Sequence, residues 1–405
     1  LSGSYPAFFL SRFQPAQVLK GQMSKQGSRG TVWLRKGLVV FQFSISIVLI
    51  IGTVIVYQQL HFTQTKNLGF DRSQTLEIYL KGDDLRDRHK AIKATFAQTA
   101  GVARIAAASN APPDGLNSWR VRPEQAPPEE ADLMSLLAVD YDYLETLGLH
   151  LTAGRAFSED FPVDAEGVIL INEAAVQKWG LDDPVGQRFH LDTVGLTVPV
   201  IGVVENFHLA SLHEQIEPVF LIIRPSWYNR LVLKIEPGQV AETMAALERQ
   251  WTTFAPDWPF EYAFLDDRFD ALYRAEQRLG TLFSSFAGLA IFIACLGLFG
   301  LAAFSAEQRT QEIGIRKVLG ATVLQILALL TREFVLLVLV AFVVATPLAY
   351  LAMQRWLEDF AYRTDLGVGT FLLAGGLALL IALLTVSYQS LKAAVADPAT
   401  SLRHE

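Results

Sequence analysis

The sequence predicts an α-helical membrane bundle of four transmembrane helices, with an extracytoplasmic mixed α/β domain inserted between the first and second of them. Three observations carry this expectation. Four apolar runs, at 38–56, 282–304, 334–352 and 366–386, contain no Asp, Glu, Lys, Arg or His, and each is close to the roughly 20 residues a helix needs to cross a bilayer. The interval between the first and second runs turns globular in composition and is long enough for a core of its own. Over all 405 residues the chain is 51% hydrophobic and only 19% charged, which is apolar for a water-soluble protein.

Charge orients the spans. Residues 1–36 carry Arg12, Lys20, Lys25, Arg29, Arg35 and Lys36 and no acid, so the positive-inside rule places them in the cytoplasm. A first helix at 37–57 then leads outward to the α/β domain at 58–278. A second helix with its stalk, at 279–304, returns the chain to a cytoplasmic segment at 305–322. A third helix at 323–353, an outer loop at 354–365 and a fourth helix at 366–388 follow, and 389–405 form a cytoplasmic tail. Both ends are thus expected inside a bacterial inner membrane. Arg332 and Glu333 should sit at the cytoplasmic interface, since charge at mid-bilayer is costly. Trp356, Phe360 and Tyr362 in the outer loop suit an interfacial aromatic belt, and Pro347 should kink the third span.

Within 58–278 strands and helices alternate. Strands are expected at 75–80, 102–108, 168–171, 197–204, 219–223, 231–235 and 261–265, and helices at 88–100 and 240–254. Asn172 suits a helix N-cap, with that helix ending at Gly180. The Pro-rich stretch 111–128 reads as a loop. The stretch 267–279 reads as a helix running unbroken into the second span.

The segment 306–322, AEQRTQEIGIRKVLGAT, is wedged between two apolar runs. Its periodicity fits a short amphipathic helix closed by Gly320. The charges Glu307, Arg309, Glu312, Arg316 and Lys317 fit either a topology anchor or a handle for another protein. The string EQRTQEIGIRKVLGA resembles the cytoplasmic loop of FtsX-like/MacB-type ABC transporter permeases. WLEDFAYR, YLETLGLHLTAGRAF, INEAAVQKWG with DPVGQRF, and VVENFHLASLHEQIEP resemble the same family in the same order.

The resemblance implies a MacB-like periplasmic core domain and a permease that couples a separate cytoplasmic ABC ATPase to motion of that domain. It implies that Glu307, Arg309, Glu312, Ile313, Ile315, Arg316 and Lys317 form the ATPase-coupling segment, with Glu312, Arg316 and Lys317 as the leading contacts and Ile313 and Ile315 packing the helix. The alternative it allows is a non-transport relay that activates an extracytoplasmic partner such as a cell-wall hydrolase. Other partners expected are membrane lipid, a possible periplasmic partner, and either the first half of the same permease or a second copy. The expectation of a first half, with 1–36 as the cytoplasmic tail of a preceding repeat unit, follows from an echo. Ser4-Tyr5, Pro15-Ala16 and Leu19-Lys20 return at one constant offset as Ser387-Tyr388, Pro398-Ala399 and Leu402-Arg403, as in the second half of a duplicated protein.

Catalytic, cofactor and metal sites are not expected. There is no G-x-x-x-x-G-K-[ST] phosphate loop and no G-x-S-x-G nucleophile. His208, His213 and Glu214 have the wrong spacing for H-E-x-x-H, so local hydrogen bonding is expected of them. Asp266, Asp267 and Asp270 open a helix, where acids favour the dipole. The lone Cys295 makes no disulfide within the chain, and a net charge of −7 argues against nucleic acid. Ala290, Ala294, Gly297, Gly375 and Gly376 offer close helix packing within uncharged spans.

Overall fold

The computed structural model describes residues 25–114 and 117–395. They divide into a helical unit, made of residues up to Gln58, Arg278–Trp356 and the residues from Asp365, and an α/β unit of Gln59–Gln277 with Leu357–Thr364. The echo at residues 4–20 and its counterparts at 398–403 lie outside the described residues.

Helix α1 spans Lys25–Thr65. The α/β unit continues with β1 (Thr75–Tyr79), α2 (Asp83–Asp87), α3 (His89–Phe96) and β2 (Val102–Ala108). Next come β3 (Asn117–Pro123), β4 (Asp132–Ala138), α4 (Tyr143–Leu147), β5 (Leu151–Gly154) and α5 (Asp164–Gly167). Then follow β6 (Ile169–Asn172), α6 (Glu173–Trp179), β7 (Arg188–Leu191), β8 (Leu196–Val204) and β9 (Val219–Ile222).

Strands β3 to β9 form one sheet in the order β5-β8-β6-β9-β4-β3-β7, and an extra β7–β8 pairing closes six of them into a ring. Closure removes most exposed edges. The long β8 makes it possible: its first half pairs with β7, and its second half with β5 on one side and β6 on the other. Asn172 pins the interior. Its Oδ1 accepts the N–H groups of Ala175 and Val219, and its Nδ2 donates to the Glu217 carbonyl.

The chain then returns through β10 (Arg230–Ile235), α7 (Val240–Phe254), β11 (Tyr262–Phe264) and α8 (Leu265–Leu272). The second sheet has the order β11-β1-β10-β2, antiparallel throughout. Counting only its own strands this is 4-1-3-2, the split β-α-β arrangement of ferredoxin-like folds, with the barrel inserted between its second and third strands. Ile92, Phe96, Leu247 and Trp251 of α3 and α7 are buried in the core with Leu76, Ile78, Leu231 and Leu233 of the sheet. On the opposite face of β1, Glu77 is fully buried and accepts from Arg230 at 3.1 Å and from Arg268 of α8. Both guanidinium groups also reach Asp114. A buried carboxylate persists only with such compensation, and here the compensation fastens α8 to the sheet.

The helical unit contains α9 (Arg274–Gln308), α10 (Thr310–Val318), α11 (Val323–Leu357) and α12 (Val368–Val395). Four stretches are long and apolar enough to cross a membrane: Trp33–Thr65, Arg274–Gln308, Val323–Leu357 and Val368–Gln389. Alanines line the inward faces of three of them. Ala341, Ala345 and Ala349 of α11, and Ala374, Ala378 and Ala382 of α12, are buried at four-residue spacing, and Ala287, Ala294 and Ala302 of α9 are buried at spacings of seven and eight. Leu and Val point outward, as at Leu336, Val343, Leu351 and Leu384. In lipid, packing replaces hydrophobic drive, and small residues let backbones approach. Gly375 is pressed by the Phe342 ring, whereas Gly376 faces open space, so only one of the paired glycines serves close packing.

Three expectations are corrected. The stretch 111–128 contains strand β3, because Trp119 and Val121 alternate inward against β4 and β7 despite the flanking prolines. The helix entering the second span is broken at Tyr273, the C-cap of α8. Phe360 and Tyr362 are no aromatic belt, because they pack within the α/β unit as described below.

Candidate functional site

Two places bring together residues that sequence reasoning singled out. The first is the elbow. Helix α9 ends at Gln308, with Glu307 in its last turn, and Arg309 stands at the bend before α10. Arg309 donates to Glu333 of α11 at 2.5 Å, and Lys36 of α1 approaches the same carboxylate at 3.5 Å. One acid thus ties three chain segments. Ile313 is 6% exposed and packs on Ile326, Leu330 and Ala321.

The end of α10 is closed twice. Gly320 has φ +89° and the Ala321 N–H donates to the Arg316 carbonyl at 2.9 Å, the six-to-one bond of a Schellman cap. Immediately afterwards Thr322 and Gln325 exchange hydrogen bonds, side chain to backbone in both directions. That is the capping box of α11.

With one face held, the other is open. Glu312, Ile315, Arg316 and Leu319 stand at i, i+3, i+4 and i+7, one face of a helix. Ile315 is 55% exposed and Leu319 80%. Ile315 therefore does not pack the helix as expected, since two residues along a helix it points nearly opposite to Ile313. Glu312 and Arg316 pair at 2.8 Å with both side chains 45% exposed. Such a pair contributes only about 0.3–0.5 kcal/mol, too little to explain the face by stability. Lys317 lies on the same helix.

The second place is the segment 206–213 of the α/β unit. From the side of α1, Gly69 at φ +82° comes so close that a Cβ there would stand 2.3 Å from the Asn206 carbonyl oxygen, and the His208 N–H donates to the Leu68 carbonyl. From the stalk, the Tyr273 hydroxyl accepts the Leu212 N–H at 2.8 Å, and Glu276 lies 3.4 Å from His213 Nε2. From the α11–α12 connection, the N–H groups of Ala361 and Tyr362 donate to the carbonyls of His213 and Leu212. The rings follow: Phe360 stacks on His213 at 4.0 Å, and Tyr362 meets His208 edge-on at 4.8 Å. The buried Gln59 donates to the Tyr362 carbonyl and accepts from the Thr364 N–H.

His213 Nδ1 pairs with Ser211 Oγ at 2.7 Å. Burial, with Lys66 nearby, pushes His208 down to about 4, leaving its ring neutral near pH 7. Among the described residues no group of three or more His, Cys, Asp or Glu is placed to hold a metal ion. Asp266 and Asp267 lie in the first turn of α8, where Asp266 pairs with Arg72 at 3.2 Å. The segment also walls a polar cleft of about 270 Å³, bounded opposite by Asp114, Ser135 and Glu217.

Comparison with known proteins decides the family. A MacB-like periplasmic core domain model matches residues 38–250, over half of the chain, and an FtsX-like permease C-terminal model matches 284–398. The chain is an FtsX-like/MacB-type ABC transporter permease. This permease is 23% identical over 292 residues to the "Uncharacterized ABC transporter permease YknZ" of Bacillus subtilis, covering 68% of this chain and 71% of that one. It is 25% identical over 284 residues to the "Macrolide export ATP-binding/permease protein MacB 2" of Aeromonas hydrophila, covering 67% of this chain but 43% of that relative. It therefore spans less than half the length of that MacB protein. Among solved structures it is similar to the periplasmic region of MacB from Actinobacillus actinomycetemcomitans, at 16% identity and a TM-score of 0.38, over 52% of this chain and 98% of that one. The FtsX-like match takes in the permease's elbow and residues 360–362, and the MacB-like match takes in 206–213. Tyr273 and Glu276 fall between the two matches.

The residues missed from sequence had local signals in part. Thr322 and Gln325 form a readable T-x-x-Q box. Glu333 and Lys36 carried charge beside apolar runs. Tyr273, Gly69 and Gln59 act through contacts remote in sequence and had none.

Proposed function

We propose that this permease works with a separate cytoplasmic ATPase that grips the elbow, and that ATP hydrolysis there is coupled to movement of the α/β unit outside the membrane. The observation that carries the reading is the two-sided elbow. One face is fixed by Ile313 and by the Arg309–Glu333 pair, and the opposite face presents Glu312, Ile315, Arg316 and Leu319. A rigid helix with two apolar anchors and a charge of each sign fits a protein partner. In this reading the elbow and the basic residues among 1–36 are cytoplasmic, and Lys317 joins the contact.

In this reading the segment 206–213 receives the motion, because the α/β-unit residues that hold it, at 68–69, 273–276 and 360–362, adjoin three of the long apolar helices in sequence. It forms a wall of the cleft, so its displacement reshapes a surface that a substrate or partner would meet. The name of the Aeromonas relative pairs export with an ATP-binding part, which supports transport over signalling. The substrate class is left to experiment.

The test is co-purification of the complete membrane protein with the ABC ATPases of its host, comparing wild type with Glu312→Arg and Arg316→Glu. Retention of an ATPase by the wild type and its loss in either variant is the expected outcome. Binding that survives both charge reversals sinks the proposal.

A further inference from the structure

A groove of about 380 Å³ runs between α1 and α9 in the helical unit, and the elbow mechanism makes no use of it. On α1 it is lined by residues 35, 38, 39 and 42, and on α9 by 296, 297, 300, 301 and 304. Both sets recur at three- and four-residue spacing, so each is one helix face. The α9 side is floored by glycine: a Cβ at Gly300 would meet nothing within 4 Å. Leu38 is 57% exposed along the α1 wall.

Two polar groups interrupt this apolar channel. At its mouth Arg35 is exposed, with its guanidinium 4.6 Å from the centre of the Phe304 ring. Lys36 beside it is paired with Glu333, but Arg35 has no acidic partner among the described residues. About 10 Å deeper along α1, the Gln42 carboxamide lies against Gly297 and makes no side-chain hydrogen bond among the described residues.

We infer that this groove holds an anionic phospholipid of the leaflet on the elbow side. Its phosphate would neutralise Arg35, an ester oxygen would accept from the Gln42 amide, and an acyl chain would cover the glycine floor. All three features are then satisfied at once. An apolar helix in the same place would cover the floor but bury the Arg35 charge without a partner, which is costly in a membrane. Under the positive-inside rule the elbow side is cytoplasmic, where anionic lipid and basic residues attract each other. The inference needs α1 and α9 to lie in the bilayer and is independent of any ATPase.

The test uses the complete protein in mild detergent, equilibrated with equal amounts of phosphatidylglycerol and phosphatidylethanolamine, with retained lipid counted by native mass spectrometry. Phosphatidylglycerol is expected in about fivefold excess, the preference one interfacial cation supplies. Arg35→Gln should remove the preference and Arg35→Lys should keep it, while Gly300→Trp, which fills the floor, should lower retention of both lipids. Equal retention by the wild type, a preference that persists in Arg35→Gln, or unchanged retention in Gly300→Trp overturns the inference. So does a disulfide-linked pair of chains formed by Leu38→Cys in native membranes, since a second protein then fills the groove.

Discussion

The hydroxyl of Tyr273 accepts the backbone N–H of Leu212 at 2.8 Å, and both residues are buried. This bond joins the break between α8 and α9 to a segment far away in sequence. Tyr273→Phe keeps the ring and removes the acceptor. A buried donor left unmet costs about 1–3 kcal/mol. Hydrogen exchange should therefore quicken at Leu212, His213, Ala361 and Tyr362 and stay unchanged in β6 and β9. Unaltered protection at Leu212 would show that the bond does not hold the segment.

Gly69→Ala tests the approach from α1. The new Cβ would stand 2.3 Å from the Asn206 carbonyl oxygen and 2.7 Å from the Phe207 Cα, at a φ of +82°. Backbone cannot yield as a flexible side chain does, so the variant should lose about 2 kcal/mol or more. Thermal unfolding of the purified protein measures this. Gly180→Ala, also at positive φ but with nothing within 4 Å, is the control for conformational strain alone and should cost less.

Arg309 and Glu333 are about one-third exposed, so their pair contributes only about 1 kcal/mol to stability. Arg309→Glu should therefore leave the protein folded while freeing the elbow, with exchange rising across α10. The double exchange Arg309→Glu with Glu333→Arg should restore protection in part, because Lys36 then faces a like charge. If the single variant leaves α10 as protected as wild type, Ile313 alone anchors the helix.

His208 gives a pH dependence with a definite sign. Its folded pKa of about 4 lies below the ordinary value of 6.5, so the unfolded chain takes up a proton first on acidification. Its stabilising contribution is full above about pH 6.5 and is lost as pH falls toward 4, a swing of order 3 kcal/mol. His208→Gln should flatten that part of the stability profile between pH 7 and 4. An unchanged slope would mean that other groups carry the acid response.

The fold was legible where local pattern and tertiary context agree. The apolar runs of β6 and β9, the Asn172 cap and the amphipathic α7 could be read directly. Strand β3 could not, since Asn117, Arg120, Arg122 and Pro123 obscure its alternation and only pairing with β4 and β7 makes it a strand. The break at Tyr273 was hidden for a related reason: the hydrogen bond that rewards it comes from a distant segment. Phe360 and Tyr362 resemble interfacial aromatics in sequence, and only the partners His213 and His208 reveal their place. At the elbow, sequence marked the residues but not their faces, so Ile315 was assigned to the wrong side. The split-sheet order and the closure of the barrel depend on pairings across the whole unit, which no window of sequence contains.

The paired caps between Arg316 and Gln325 have a mechanical consequence. Gly320, Ala321 and Thr322 change the direction of the chain with backbone hydrogen bonds on both sides of the corner, so the joint has no slack to take up. If an ATPase grips α10 as proposed, a push on its exposed face would be delivered to α11 at nearly full stroke. A loose glycine-serine tether at the same corner would absorb that stroke, and the elbow would still offer its exposed face while transmitting nothing.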